Sequence, residues 1–100
     1  MTIFEAGTGQ NELKGEEWWQ RFQGLLDDQN TWPSEYLFKF IVPRSSQPLL
    51  EAIFGESPIK VRASSKGKYV SVTASIMMES SDAVIEVYRK AGKIPGVVSL

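Results

Sequence analysis

The 100-residue sequence contains neither histidine nor cysteine, and each absence excludes a class of chemistry. Without histidine there is no imidazole base, no Ser-His-Asp triad and no histidine-ligated metal. Without cysteine there is no thiolate nucleophile, no zinc–thiolate centre, no iron–sulfur cluster and no disulfide. Any catalysis would therefore depend on carboxylates or lysines.

Those remaining groups show no catalytic pattern. Two acidic pairs, at positions 16–17 and 27–28, are sequence neighbours on an exposed helical pattern, which is typical of a solvated surface. A lysine nucleophile needs desolvation, whereas Lys66 and Lys68 lie in a predicted turn. Arg44 follows the first predicted strand, where acylphosphatases bind phosphate, but the glycine-rich loop of that family is missing. We predict a protein that is not an enzyme and has no metal or cofactor.

Long apolar runs are also missing. The most apolar stretch, residues 36–42, is interrupted by Lys39 and is too short to cross a bilayer. The first ten residues carry one glutamate and no lysine or arginine, so they lack the basic start of a secretory signal. We expect a cytoplasmic protein without a membrane partner.

The net charge of −1 hides a strong asymmetry. Residues 1–35 hold seven acids and two bases, whereas residues 36–75 hold six bases and two acids. The last 25 residues balance at three of each. An acidic segment thus precedes a basic one, and the two segments could attract each other or each could face its own partner.

Apolar spacing predicts a flexible tail over residues 1–10, an amphipathic helix over residues 11–31 and one domain over residues 32–100. Within that domain we predict four strands: Tyr36–Val42, Ile59–Ser64, Tyr69 to Met77 or Met78, and Val97–Leu100. Two helices are predicted between them, at Pro48–Phe54 and from Ser80 to Gly92. The order βαββαβ is that of an α+β, ferredoxin-like sandwich, in which two helices cover one face of a four-stranded antiparallel sheet.

The sheet face away from those helices is the predicted binding surface. Strand alternation and the hairpin between the second and third strands give it the residues Lys39, Lys60, Arg62, Ser64, Ser65, Lys66, Gly67, Lys68 and Tyr69. Gly67 is expected to take the positive φ that such a turn needs. Ser71 and Thr73 add hydroxyl groups to the same face.

Three interpretations of this basic face stay open: a solvated surface, a nucleic-acid interface and a protein interface. Ribonucleoprotein-type sheets stack bases on aromatic side chains of the two central strands. Lys68, Val70 and Thr73 stand where those aromatics would be, and Tyr69 alone is a poor platform. We therefore do not expect nucleic acid as the main partner.

The N-terminal helix carries a concentrated aromatic stripe of Trp18, Trp19 and Phe22. Aromatic side chains are favoured in interface cores, so the stripe is a candidate interface. A small domain also gains stability by docking an extra helix on itself, and this second interpretation is the more common one. In that case we expect the acidic flank of the helix to complement the basic strands.

Two segments carry a family resemblance: Tyr36–Val42 and Ser64–Thr73, supported by Val87-Tyr88 and Gly96–Leu100. Together they resemble the small uncharacterised bacterial family of YbeD-like proteins, over the stretch from Trp32 to Leu100. That family is similar in fold to ACT-type regulatory domains, which bind small ligands and regulate an associated enzyme.

The resemblance implies a non-catalytic regulatory or protein-interaction domain that binds a protein partner or a second copy of itself, with a small-molecule ligand allowed. This sequence departs from the ACT pattern after its first strand, where Pro43–Gln47 replaces an acidic-then-glycine turn, so the amino-acid site of that type is not expected. The alternative is a nucleic-acid-binding module that uses the same basic face.

Overall fold

The computed structural model describes residues 4–5 and 15–99, which form one antiparallel sheet and three α-helices. In chain order the elements are β1 (Phe4–Glu5), α1 (Glu16–Gln29), β2 (Ser34–Pro43), a 3₁₀ turn (Arg44–Ser46), α2 (Gln47–Phe54), β3 (Ile59–Ala63), β4 (Tyr69–Met78), α3 (Ser81–Ala91) and β5 (Val98–Ser99). Ser80 caps α3 through its Oγ, which accepts a hydrogen bond from the Ala83 amide at 3.2 Å.

The described strands lie in the order β1-β5-β2-β4-β3, and every neighbouring pair is antiparallel. The strands from β2 onward have the ferredoxin-like order, so the predicted fold class is confirmed. The sequence did not predict β1, which pairs with β5 and falls within the segment predicted as a tail. The other residues of that segment, and residues 11–14 of the predicted helix, lie outside the described residues.

Strict alternation along β2 and β4 divides the sheet into two faces. Phe38, Phe40 and Val42 of β2 are buried under the helices, and the even-numbered residues of β4 from Val70 to Ala74 are buried with them. The β-branched and aromatic residues fit a pleated, half-buried strand, and their period of two turns them all to one side. The odd-numbered residues consequently form the opposite face.

The N-terminal helix α1 docks on α3, within the helix layer. Trp19 is only 3% exposed, and the Phe22 ring meets the Tyr88 ring at 5.4 Å between centroids. The Arg89 guanidinium lies 4.7 Å from the centre of the Trp19 ring and also pairs with Glu16 at 3.0 Å. The expectation that the acidic flank of α1 complements the basic strands is therefore wrong: Glu16 pairs with Arg89 of α3, Glu17 pairs with Arg21 of its own helix, and Asp27 accepts a hydrogen bond from the Trp32 indole.

Tyr88 is the point where α1, α3 and the sheet meet. Its hydroxyl lies 3.0 Å from the hydroxyl of Tyr36, and its ring contacts Phe38 and Phe40 of β2. Burial raises the pKa of the Tyr88 phenol well above its ordinary value, and the hydrogen bond with Tyr36 raises it further. The phenol therefore stays protonated in the folded protein at pH values where an unfolded chain loses that proton.

We predict that this tyrosine makes the fold sensitive to alkali. Because the pKa of the Tyr88 phenol is raised in the folded state, the contribution of this phenol to the free energy of unfolding is complete below the unfolded-state pKa of about 10. Above that pH the contribution falls by ~1.4 kcal/mol per pH unit. Tyr88→Phe should flatten the fall in unfolding free energy between pH 10 and 11, as measured by urea titration. Tyr69→Phe is the matched control, because Tyr69 is exposed; an equal slope in both variants would contradict the prediction.

Candidate functional site

The face of the sheet opposite the helices, here called the open face, is set by the strand register. It comprises Glu35, Leu37, Lys39 and Ile41 of β2, Lys60 and Arg62 of β3, Tyr69, Ser71, Thr73, Ser75 and Met77 of β4, and Val98 of β5. The structure therefore brings together the predicted residues Lys39, Lys60, Arg62 and Tyr69.

Three bases flank the central strand of the open face. Thr73 pairs with Lys39 on one side and with Lys60 on the other. Ser71 in turn pairs with Arg62. Since neighbouring strands lie about 4.8 Å apart, Lys39 and Lys60 sit roughly 10 Å apart across a row of small hydroxyl side chains. An anionic group over β4 would thus be within reach of bases from both sides.

The predicted hairpin extends this positive region beyond the strands. The Ser64 amide donates to the Tyr69 carbonyl at 2.8 Å, and the Ser64 Oγ accepts from the Tyr69 amide at 3.2 Å. Gly67 has the expected positive φ of 71° and its amide donates to the Ser64 carbonyl at 3.0 Å. Lys66 and Lys68 are held on a well-defined turn, and Ser65 lies exposed beside them.

Arg44 belongs to the same region, although its place in the sequence suggested only a comparison with the phosphate-binding arginine of acylphosphatases. Its amide donates to the Lys68 carbonyl at 2.9 Å, which continues the β2–β4 ladder past the Pro43–Tyr69 pair. Its Nη1 comes within 3.4 Å of the position that a Cβ on Gly67 would take. The guanidinium consequently lies against the hairpin tip, beside Lys66 and Lys68.

The ion pairs of the described residues leave these bases unmatched. Arg21–Glu17, Arg89–Glu16 and Lys90–Glu86 are the ion pairs within this part of the chain, and all belong to α1 and α3. The cationic side chains of the sheet and its hairpin are here called the basic surface: Lys39, Arg44, Lys60, Arg62, Lys66 and Lys68. None of them forms an ion pair with a described residue. Within the described part of the chain, these charges are therefore not neutralised by a neighbouring carboxylate.

Apolar side chains stand beside the basic surface. Leu37 is 60% exposed and Met77 is 62% exposed, both on the open face. Leu37 pairs with Ser75, so Met77 is its diagonal neighbour across the β2–β4 ladder. Leu37 also lies two residues, or about 7 Å, from Lys39 along β2. The open face therefore combines an apolar end with a basic end.

The aromatic stripe of α1 lies elsewhere. Trp19 is buried, and Trp18 and Phe22 are half-buried against the core. These three rings contact one another and, through Phe22, the Tyr88 ring, so they pack inside this chain. The structure places them in the α1–α3 contact and away from the candidate surface.

A shallow cleft of about 350 Å³ runs along the α1–α3 contact. Its polar walls bond to each other: the Gln23 amide nitrogen donates to Ser81 Oγ at 3.1 Å and to Asp82 Oδ1 at 2.7 Å. Glu16 and Arg89 complete it as an ion pair. These polar groups of the cleft are thus hydrogen-bonded or ion-paired to one another, and the cleft is part of the packing between α1 and α3.

The described parts of the chain contain neither a metal-binding cluster nor a helix that could span a membrane. Residues 4–5 and 15–99 contain no group of three or more metal-binding side chains close enough to hold an ion. No described helix combines the length and the apolar character that crossing a membrane requires.

A family model described as "Protein of unknown function (DUF493)" matches residues 27–100. The match includes α2, α3 and every strand from β2 onward, and so contains the whole open face and the hairpin. Trp18, Trp19 and Phe22 precede it. No curated protein and no solved structure is significantly similar to the chain.

Proposed function

The chain belongs to the DUF493 family, and from that premise we propose that it is a YbeD-like, ACT-like protein-interaction domain without catalytic activity. Its open face and hairpin bind an acidic region of a partner protein in the cytoplasm, and this binding regulates the partner. The observation that carries the proposal is the basic surface, whose six bases have no ion-pair partner among the described residues.

Exposed apolar side chains next to those bases favour a protein as the partner. Leu37 and Met77 offer surface that gains free energy when another protein covers it, at roughly 25 cal/mol per Å² of apolar area. The bases would steer an acidic partner and fix its orientation, because complementary potential acts mainly on association rate and specificity. An apolar contact beside a charged rim is the usual anatomy of a protein interface.

Nucleic acid is the rival partner, since the same bases would attract phosphates. Sequence-tolerant binding of single strands also needs aromatic side chains on which bases stack. The middle of the open face carries Lys39 and Ile41 on β2 and Ser71 and Thr73 on β4, and Tyr69 lies at its end. This composition favours an acidic protein over RNA or DNA.

The chemistry of the open face also supports a role without catalysis. Its described side chains are bases, hydroxyls, apolar groups and one carboxylate, that of Glu35, which pairs across the ladder with Met77. Catalysis by carboxylates alone characteristically uses two of them, whose different environments push their pKa values apart. Glu35 has no second carboxylate near it on the described face, so binding is the function that this surface supports best.

A matched pair of leucine variants tests the proposal. Leu37 is 60% exposed on the open face, and Leu25 is 57% exposed on α1, so both can be changed to serine at similar cost to the fold. We expect the wild-type domain and Leu25→Ser to retain the same acidic protein from nuclease-treated native lysate. Leu37→Ser should retain at least about fivefold less, because roughly 1 kcal/mol of apolar burial is lost.

The nuclease treatment separates the rival partner from the proposed one. If nuclease digestion removes all bound material, the partner is a nucleic acid and the proposal fails. Equal retention by Leu37→Ser and Leu25→Ser would also contradict it, because the open face would then contribute nothing.

A further inference from the structure

The outer edge of β3 is an open strand edge. The order of the sheet ends at β3, and no described residue pairs with the side of β3 that faces away from β4. Four of its five residues, from Lys60 to Ala63, are exposed. An exposed edge strand presents unpaired N–H and C=O groups that a strand from another chain can use.

The hairpin fixes which backbone groups point outward. The amide of Ser64 donates to the Tyr69 carbonyl, so Ser64 faces β4. In an antiparallel ladder successive residues alternate between bonding to the neighbour and pointing away from it. Lys60 and Arg62 therefore bond to β4, and Val61 and Ala63 direct their N–H and C=O groups to the free edge.

The two faces of this edge have different chemistry. Val61 pairs with the buried Val72, so it lies on the helix side of the sheet, where it is 43% exposed. Lys60 and Arg62 lie on the open face. A strand added here would need apolar side chains on the side of Val61 and acidic side chains on the side of the two bases.

A second copy of this chain does not satisfy that requirement. Antiparallel pairing of two β3 strands centred on Val61 would place Lys60 of one copy opposite Arg62 of the other. Like charges directly opposite each other destabilise a strand pair. The charge pattern therefore disfavours self-pairing in this register and favours an acidic strand.

We propose that the outer edge of β3 receives an extended acidic segment of the partner protein as an additional antiparallel strand, with acidic side chains opposite Lys60 and Arg62 and an apolar one opposite Val61. This inference rests on the proposed function and specifies how the partner is held. Backbone hydrogen bonds supply affinity in such strand addition, and alternate side chains supply specificity.

The geometry also predicts which amides of the added strand are used. The residue opposite Val61 forms the hydrogen-bonded pair, so apolar residues of the segment direct their N–H groups toward β3. Its acidic residues direct theirs away. In a peptide that alternates glutamate and valine, methylation of the valine amides should block pairing, whereas methylation of the glutamate amides should not.

Three versions of one synthetic peptide, with seven alternating glutamate and valine residues between terminal glycines, test this directly. They are the unmodified peptide, the N-methyl-valine peptide and the N-methyl-glutamate peptide, each titrated into the ¹⁵N-labelled wild-type full chain at low salt. We expect the unmodified and N-methyl-glutamate peptides to slow amide exchange at Val61 and Ala63. The N-methyl-valine peptide should bind at least about tenfold more weakly, because the backbone bonds are lost.

A charge variant checks the side-chain half of the inference. Lys60→Glu should weaken the unmodified peptide at least about fivefold, while Lys93→Glu, an exposed change in the turn that follows α3, should leave its affinity within about twofold. Equal weakening by both variants would mean that the peptide senses only net charge and would overturn the inference.

The remaining outcomes separate this inference from the proposed function. Equal binding of both methylated peptides, with shifts at Leu37 and Lys39, would overturn strand addition while supporting the open face as the interface. If no peptide binds but the wild-type chain still retains the partner from lysate, strand addition is likewise overturned while the proposed function stands. Full displacement of the peptide by an oligouridylate of equal charge would assign the edge to nucleic acid and overturn both. Self-association of the wild-type chain that Lys60→Glu strengthens, by placing a glutamate opposite Arg62 of the other copy, would identify a second copy as the occupant and overturn strand addition.

Discussion

Replacing Trp19 with alanine is expected to lower the free energy of unfolding by about 3–5 kcal/mol, because a large buried ring is removed and a cavity remains. The Trp19 side chain is 3% exposed and belongs to the same buried core as Phe38 and Phe40. Its ring also lies 4.7 Å from the Arg89 guanidinium, and its centroid lies 4.9 Å from that of the nearly perpendicular Trp18 ring. Since a domain of this size is stable by only about 5–15 kcal/mol, the loss would be a large part of the total.

Urea unfolding of Trp19→Ala and Leu25→Ala measures this effect with a control on the same helix. Leu25 is exposed, so its loss should cost less than about 1 kcal/mol. Loosening of α1 in the Trp19 variant should also uncover the ring of Phe22, and we expect increased binding of a hydrophobic dye and concentration-dependent association. A cost similar to that of Leu25→Ala, with a monomeric variant, would show that α1 contributes little to the fold.

Local pattern was sufficient to predict most elements of this fold. The alternation of Tyr36–Val42 identified β2, whose observed limits are Ser34–Pro43. Ser34 and Glu35 also belong to the strand, because they pair with Met78 and Met77 of β4. This pairing with a distant strand cannot be inferred from the local sequence. β1 has only two residues, too few to show a period, and its pairing with β5 joins the two ends of the chain.

The position of α1 shows where charge reasoning failed. The charge asymmetry left two arrangements open, and if the helix docked on its own chain we expected its acidic flank to complement the basic strands. The helix instead follows its apolar stripe, in which Trp19 and Leu26 are buried. Burial of a large side chain contributes about 1.5–3 kcal/mol, whereas an exposed ion pair contributes about 0–1 kcal/mol, so packing decides the docking.

The candidate surface was predicted only in part, because alternation within a strand is local whereas exposure and strand register depend on distant segments. Alternation placed Lys39, Lys60 and Arg62 on one face, and the register agrees. The same alternation places Leu37 beside Lys39. Because β2 has apolar residues on both of its faces, the sequence did not indicate that Leu37 is exposed. Arg44 was missed as a neighbour of the hairpin because its contact with Lys68 depends on the β2–β4 register, which joins distant segments.

Reversing three charges of the open face should reduce partner affinity by about 100-fold. In Lys39→Glu/Lys60→Glu/Arg62→Glu each attraction to an acidic partner becomes a repulsion, and roughly 1 kcal/mol per site gives a total loss near 3 kcal/mol. All three side chains are exposed, so we expect the variant to fold.

A matched variant on the helices separates this effect from net charge. Arg21→Glu/Lys90→Glu/Lys93→Glu has the same change in charge, and all three positions are exposed: Arg21 on α1, Lys90 on α3 and Lys93 in the turn that follows α3. Two of its sites lose i,i+4 pairs, Arg21–Glu17 and Lys90–Glu86, which contribute only about 0.3–0.5 kcal/mol each. Melting temperatures of both variants establish that they remain folded.

The central claim is that the unmatched basic surface of the sheet, and not the overall charge of the chain, holds an acidic protein partner. Calorimetric titration of the partner purified from nuclease-treated lysate into the two triple variants tests it most directly. We predict a loss of about 100-fold for the open-face variant and of less than about threefold for the helix variant. Equal affinities of the two variants would contradict the claim.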